Sequence, residues 1–175
     1  MTKFKDIFEA AAKGTAGDVR HFVERKGISI SEIDENGQMP QHVAAWCNPN
    51  VDVLKYLVSR GADIHAKDEE GGWTVLQYAA CDNPNVEVLK YLVSLGADVN
   101  AKDSTLKTPL HIAAAHNPNI EVMKYLISQG ADVNADDYNE RTPFNLADTE
   151  EKKAILRAAG ARRKGLLGWL GFKAY

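Results

Sequence analysis

Two cysteines in 175 residues, Cys47 and Cys81, are too few for a disulfide framework, and folds that rely on one carry several bridges. So low a count points to a reducing compartment. The opening stretch MTKFKDIFEAAAKG holds acidic side chains at Asp6 and Glu9 and no unbroken apolar run, which fits neither a signal peptide nor a membrane span. The expected localisation is cytoplasmic, with delivery by a specialised secretion route left open. Catalytic signatures are missing too: no Gly-rich phosphate loop, no Ser or Cys nucleophile with a matching His-Asp set, and no metal-binding helix motif. Neither enzymatic activity nor a cofactor is expected.

Basic residues are scarce over most of the chain. The net charge of −3 conceals seven basic and no acidic residues between Lys152 and Tyr175, which leaves 14 basic against 24 acidic side chains before them. An acidic body disfavours nucleic acid as a partner. Hydrophobic content of 45% and charged content of 26% are those of an ordinary globular protein, and the length suits one domain.

What the chain does have is repetition. VDVLKYLVSRGADIHAKD (Val51 to Asp68), VEVLKYLVSLGADVNAKD (Val86 to Asp103) and IEVMKYLISQGADVNADD (Ile120 to Asp137) align without gaps at intervals of 34 or 35 residues. A period in this range marks a stacked-repeat protein with an elongated binding surface. Each unit carries the same punctuation. A first helix starts at Thr108-Pro109 or Thr142-Pro143, with Met39-Pro40 and Thr74-Val75 as degraded versions. Thr caps the start, and Pro at the first helical position sacrifices no hydrogen bond. Ala pairs (Ala44-Ala45, Ala79-Ala80, Ala113-Ala114) suit a close helix-helix approach. Asn-Pro-Asn triplets at Asn48, Asn83 and Asn117 end the first helix, and their second Asn is placed to cap the next. The second helix carries one apolar stripe, as at Val88, Leu89, Leu92 and Val93, and stops at Gly61, Gly96 and Gly130.

This order, with Thr108-Pro109-Leu110-His111-Ile112-Ala113-Ala114 and the Gly-Ala-Asp-Val-Asn runs from Gly96 and Gly130, closely resembles the ankyrin repeat. The resemblance implies an all-α solenoid of helix-turn-helix units joined by extended β-turn fingers. Residues 1–161 form the repeat domain: an N-terminal cap at 3–33, repeats at 34–68, 69–103 and 104–137, and a shortened C-terminal cap at 138–161. Two departures stand out. The Asn-Pro-Asn connector adds one residue to the family's usual unit, and one more lengthens the turn at Glu69 to Gly72.

From the family geometry, turn tips and first helices should line a concave groove while second helices form the back. The implied partner contacts are Gln38, Trp46, Cys47, Glu69, Glu70, Trp73, Tyr78, Asp82, Lys107, His116, Tyr138 and Arg141. Trp46 and Trp73 stand out, because the framework asks for no aromatic there and tryptophan dominates interface hot spots. The plainer alternative is that Trp73 folds onto its own turn and Trp46 fills space between helices. Tyr56, Tyr91 and Tyr125 recur in Lys-Tyr-Leu and read as core or back-face packing. His42 and His111 occupy the slot where the family's histidine supports the turns, with Gln77 and Asn145 as replacements. Asn100 and Asn134 resemble ankyrin sites modified by an asparaginyl hydroxylase, although ordinary turn chemistry accounts for them.

A metal site from Cys47, Cys81, Asp82 and His116 fails on spacing. Helices about 8–10 Å apart cannot bring ligands to bonds of about 2.0–2.3 Å, and the same spacing excludes a Cys47–Cys81 disulfide. The function expected is recognition of a protein with a basic or neutral surface, by a monomer, through the acidic groove of repeats two to four. A second reading makes the chain an adaptor anchored to a membrane surface or second partner by the basic-apolar tail 162–175, where Arg162, Arg163 and Lys164 precede Leu166, Leu167, Trp169, Leu170 and Phe172. The plainer reading of that tail is a cover for the open end of the stack, and the last is disorder or a cloning remnant. Self-assembly through the ends is a third reading.

Overall fold

The computed structural model of the protein describes residues 3–162. Five helix pairs succeed one another along the chain. The inner members are α1 (Ile7–Lys13), α3 (Pro40–Cys47), α5 (Val75–Asp82), α7 (Pro109–His116) and α9 (Pro143–Leu146). The outer members are α2 (Ala16–Arg20, continued by a wide π-turn over His21–Arg25), α4 (Val51–Ser59), α6 (Val86–Ser94), α8 (Ile120–Ser128) and α10 (Glu150–Ala158). The inner helices pack more closely on one another than the outer ones do, because they meet through Ala44, Ala45, Ala79, Ala80, Ala113 and Ala114, all buried. The apolar stripes of the outer helices supply the rest of the core, including Leu54, Leu57, Leu89, Leu92, Met123, Leu126 and Leu156. Tyr56 is buried, and Tyr91 and Tyr125 are half-buried against that core, as their repetition leads one to expect.

The connectors hold the stack together. Asn50, Asn85 and Asn119 cap α4, α6 and α8 through their side-chain oxygens. The first Asn of each triplet does something the sequence reading does not anticipate. It is buried and reaches back one unit: Asn48 Nδ2 donates to Ala11 O at 2.8 Å, Asn83 to Ala45 O at 2.8 Å and Asn117 to Ala80 O at 3.1 Å. In the shortened last unit, which lacks the triplet, the buried Lys152 amine takes over, donating to Ala114 O at 3.2 Å and pairing with Asp148 at 2.8 Å. Four donors thus satisfy four carbonyls that the inner-helix ends would otherwise bury unpaired. The outer helices close at Gly61, Gly96, Gly130 and Gly160, whose φ values of 87° to 95° are left-handed, where a side chain would be strained.

Fingers between the pairs are built on one recurring carboxylate. Asp34, Asp68, Asp103 and Asp137 each accept two backbone N–H bonds across their turn, from Asn36 and Gln38, Gly71 and Trp73, Thr105 and Lys107, and Asn139 and Arg141. Neighbouring fingers are stitched by Glu69 N to Gly37 O, Ser104 N to Gly71 O and Tyr138 N to Thr105 O. The inner helices reach forward to hold the next finger. His42 Nε2 lies 3.1 Å from Ala66 O, Gln77 Nε2 2.9 Å from Lys107 O, and His111 Nε2 3.0 Å from Arg141 O. Burial pushes both imidazoles below their ordinary pKa, although the carbonyl each ring faces partly opposes this. Each Nδ1 accepts a backbone N–H, from Met39 or Thr108, so each ring is neutral with its proton on Nε2. Asn100 and Asn134 bridge units as well, accepting from the Asp132 and Arg162 N–H groups. Residues 163–175 of the basic-apolar tail lie outside the described residues, as do Met1 and Thr2.

Candidate functional site

The finger of the third unit carries an extra residue. Trp73 follows Asp68 by five positions, against four from Asp34 to Gln38, Asp103 to Lys107 and Asp137 to Arg141. The spare length is taken by Gly71 and Gly72. Gly72 adopts a φ of 66°. Gly71 lies so close to the Trp73 indole that a methyl there would sit 3.0 Å from its Cδ1. Trp73 is thereby turned toward Tyr78 of α5, with ring centres 5.3 Å apart and planes tilted by 56°. Trp46, at the end of α3, closes from the other side at 6.2 Å and 55°. The three rings, with Asp68, Glu70, Gly71 and Cys81, line a depression of about 480 Å³.

A second depression of about 610 Å³ begins on the other side of Trp46 and runs over the first unit, past Phe8, Ala12, Val43 and Gln38. Trp46 is therefore the wall shared by both, and it is 40% exposed. Together the two linings hold seven carboxylates (Asp6, Glu9, Glu32, Asp34, Glu35, Asp68, Glu70) and two ammonium groups, Lys5 and Lys13. Both lysines already lie against carboxylates of α1 or its cap, Asp6 and Glu9. The field over this end is acidic, as the charge distribution of the sequence implies.

The sequence-predicted contact residues fall into three groups. Trp46, Trp73, Tyr78 and Glu70 come together at the first depression, and Gln38 joins Trp46 at the second. Glu69, Cys47 and Asp82 are exposed nearby along the same fingers and helix ends. Lys107, His116, Tyr138 and Arg141 line neither depression. Tyr138 is 77% exposed at the tip of its finger, and Arg141 is engaged with Asp137 at 2.9 Å.

Two residues lie deeper than a surface contact requires. Gln38 is buried, and Tyr78 is buried with its hydroxyl donating to Asp68 Oδ2. Tyr78 is the floor of the depression rather than its rim. Burial, then the bond to Asp68, drives its phenol pKa far above the ordinary value, so it stays protonated.

Burial pushes the Cys81 thiol up to about 11 and raises that of Cys47, whose sulfur turns back onto Val43 O at 3.3 Å; such thiols are poor nucleophiles. Both cysteines are free. Among the described residues no group of three or more His, Cys, Asp or Glu side chains is placed to hold a metal ion, and no helix is long and apolar enough to cross a membrane. Asp68 is not among the expected groove residues, and Cys81 is expected at the groove without being named a contact. The signal for Asp68 was present, since an Asp recurs at each finger start. For Cys81 the family geometry puts it, with Asp82, at the groove-facing end of its helix.

Comparison with known proteins follows the same lines. Residues 7–103 match the description "Ankyrin repeats (3 copies)" and residues 105–138 match "Ankyrin repeat". The chain is 38% identical over 64 residues to alpha-latrocrustotoxin-Lt1a of Latrodectus tredecimguttatus, covering 37% of this chain and 4% of that protein. It is 31% identical over 72 residues to Inhibitor of Bruton tyrosine kinase of Mus musculus, covering 41% and 5%. To Protein phosphatase 1 regulatory subunit 27 of Homo sapiens it is 37% identical over 64 residues, covering 37% and 40%. The chain thus spans less than half the length of each of these relatives, and the likeness lies in the repeats: it is a member of the ankyrin-repeat family.

Proposed function

We propose that this chain is a non-catalytic protein-recognition module whose partner lies along the acidic concave side of the N-terminal half, with Trp46 at the centre of the contact. The observation that carries this reading is the position of Trp46 as a half-open wall between two depressions, with a tryptophan and a tyrosine on one side and a carboxylate-rich trough on the other. A large amphipathic ring left 40% exposed between grooves gains most by being covered. The surplus of carboxylates selects a basic or neutral surface and accelerates its approach. Two relatives are named for acting on other proteins, as an inhibitor of a kinase and a regulatory subunit of a phosphatase, which agrees with recognition rather than chemistry.

The test is affinity capture from the native lysate with intact protein and with the Trp46→Ala variant, each checked by circular dichroism. Trp46 stands at the exposed end of α3, so the variant keeps its helical signal. Removing a hot-spot tryptophan weakens binding by about 2–4 kcal/mol, enough to lose the partner from the beads. A partner held equally by both proteins overturns the assignment.

A further inference from the structure

We propose that the depression between Trp46, Trp73 and Tyr78 receives one cationic side chain of the partner, an arginine. This deepens the recognition reading above and rests on it. The lining contains three aromatic rings and two carboxylates, Asp68 and Glu70, and no basic side chain. Neither carboxylate forms an ion pair with any described residue. A cation held within about 6 Å of an aromatic centre is attracted by the negative face of the ring. The Trp46 and Trp73 rings stand 6.2 and 5.3 Å from Tyr78 and tilt by 55° and 56°, so a cation entering the depression faces both indoles, with the nearly buried tyrosine beneath them.

The chain carries its own precedent two units further on. Asp137 occupies the same place in its finger as Asp68, and there the residue matching Trp73 is Arg141. Its guanidinium lies against Asp137 Oδ2, with Nη2 at 2.9 Å and Nε at 3.0 Å. The fifth unit thus supplies the cation from its own chain. In the third unit a tryptophan takes that position, the lengthened finger opens about 480 Å³ beside the carboxylate, and Glu70 hangs over the edge. Asp68 Oδ2 there accepts the Tyr78 hydroxyl in place of a guanidinium, and no cation of the described residues reaches Asp68 or Glu70. Arginine fits better than lysine, because a planar and weakly hydrated guanidinium stacks on indole while pairing with a carboxylate.

The experiment is a titration of the full chain with three small probes, arginine amide, its neutral isostere citrulline amide, and lysine amide. It is followed through the indole N–H signals of Trp46 and Trp73 by NMR. Arginine amide should shift both signals saturably, with citrulline amide about tenfold weaker. Glu70→Gln, an exposed change, should weaken arginine about threefold. Equal response to arginine and citrulline, a stronger response to lysine, or indifference to Glu70→Gln each overturns the proposal. If Trp46→Ala abolishes partner capture while the arginine titration fails, recognition stands and the arginine does not. If capture survives Trp46→Ala, the recognition reading falls whatever the small probes do.

Discussion

The fingers of the third and fifth units begin on the same carboxylate and end in opposite chemistry. In the fifth, Arg141 returns to Asp137, whose side chain is 1% exposed. Burial alone would raise that carboxyl's pKa, but the Arg141 backbone N–H, its guanidinium and the Asn139 N–H outweigh burial and hold it below its usual value. The charge is closed within the finger, and Tyr138 and Glu140 project from a finished turn. In the third, the backbone N–H bonds to Asp68 are kept, the Tyr78 hydroxyl takes the guanidinium's place on Oδ2, Trp73 closes the finger, and one added residue lets the turn curl against the indole. The difference teaches that a repeat scaffold separates support from recognition. The carboxylate-amide frame is common to the fingers, and the residue that closes the frame decides whether the finger is sealed or open.

Exchanging the closing residues breaks the comparison most directly. Trp73→Arg gives the third finger its own cation, and the arginine-amide shift at Trp46 should weaken by about tenfold or more while the helical signal is retained. The reciprocal change, Arg141→Trp, leaves Asp137 buried without its guanidinium. Because Arg141 is 44% exposed, the cost falls short of that for a fully buried pair, at about 1–2 kcal/mol in denaturant unfolding. If Trp73→Arg leaves arginine binding unchanged, the aromatic wall is not the recognition element.

Much of this architecture was legible in the sequence because it is periodic. Thr and Asn caps, alanine faces and glycine stops each answer a local backbone requirement, so recurrence at 34 or 35 residues reveals them. The support roles of His42, Gln77 and His111 were legible for the same reason. The inter-unit bonds were not. Asn48, Asn83 and Asn117 look like connector residues, and only stacking shows that their amides reach the previous helix. Lys152 was less legible still, since an amine doing an amide's work shares no sequence pattern with Asn. For the site, Trp46 and Trp73 could be singled out as aromatics the frame does not need. Their convergence on Tyr78 depends on how Gly71 turns the indole, and spacing alone does not encode that.

The histidines sharpen the comparison between units that use imidazole and the one that uses an amide. In the third unit Gln77 accepts from the Thr74 N–H and donates to Lys107 O, as His42 and His111 do in theirs. The folded pKa of each histidine is lowered from 6.5, first by burial, so the unfolded chain binds protons more readily. Their contribution is therefore full above the unfolded value of about 6.5 and is lost as pH falls through the folded one. The double variant His42→Gln/His111→Gln should fold and show a flatter decline of Tm below that pH. An unchanged acid limb would place the sensitivity elsewhere.

The smallest effect concerns the residue just before the closing position. It is left-handed in all four fingers: Gly37 and Gly72 in two, but Leu106 at φ 62° and Glu140 at φ 57° in the others. A leucine there costs about 1–2 kcal/mol from contact between Cβ and the following carbonyl. Leu106 is 43% exposed, so removing its side chain forfeits only part of the burial energy. Leu106→Gly relieves the strain but enlarges the unfolded ensemble, a loss of about 0.4–1 kcal/mol. Strain relief less the entropy loss leaves about 0.8 kcal/mol, and the burial forfeited by a half-exposed leucine offsets most of it, so the midpoint in urea should move little, at unchanged slope. The same substitution should leave arginine binding at the third finger untouched, since Leu106 lines neither depression. A variant that loses stability instead would mean that Leu106 packs on its neighbouring finger strongly enough to outweigh its own backbone strain.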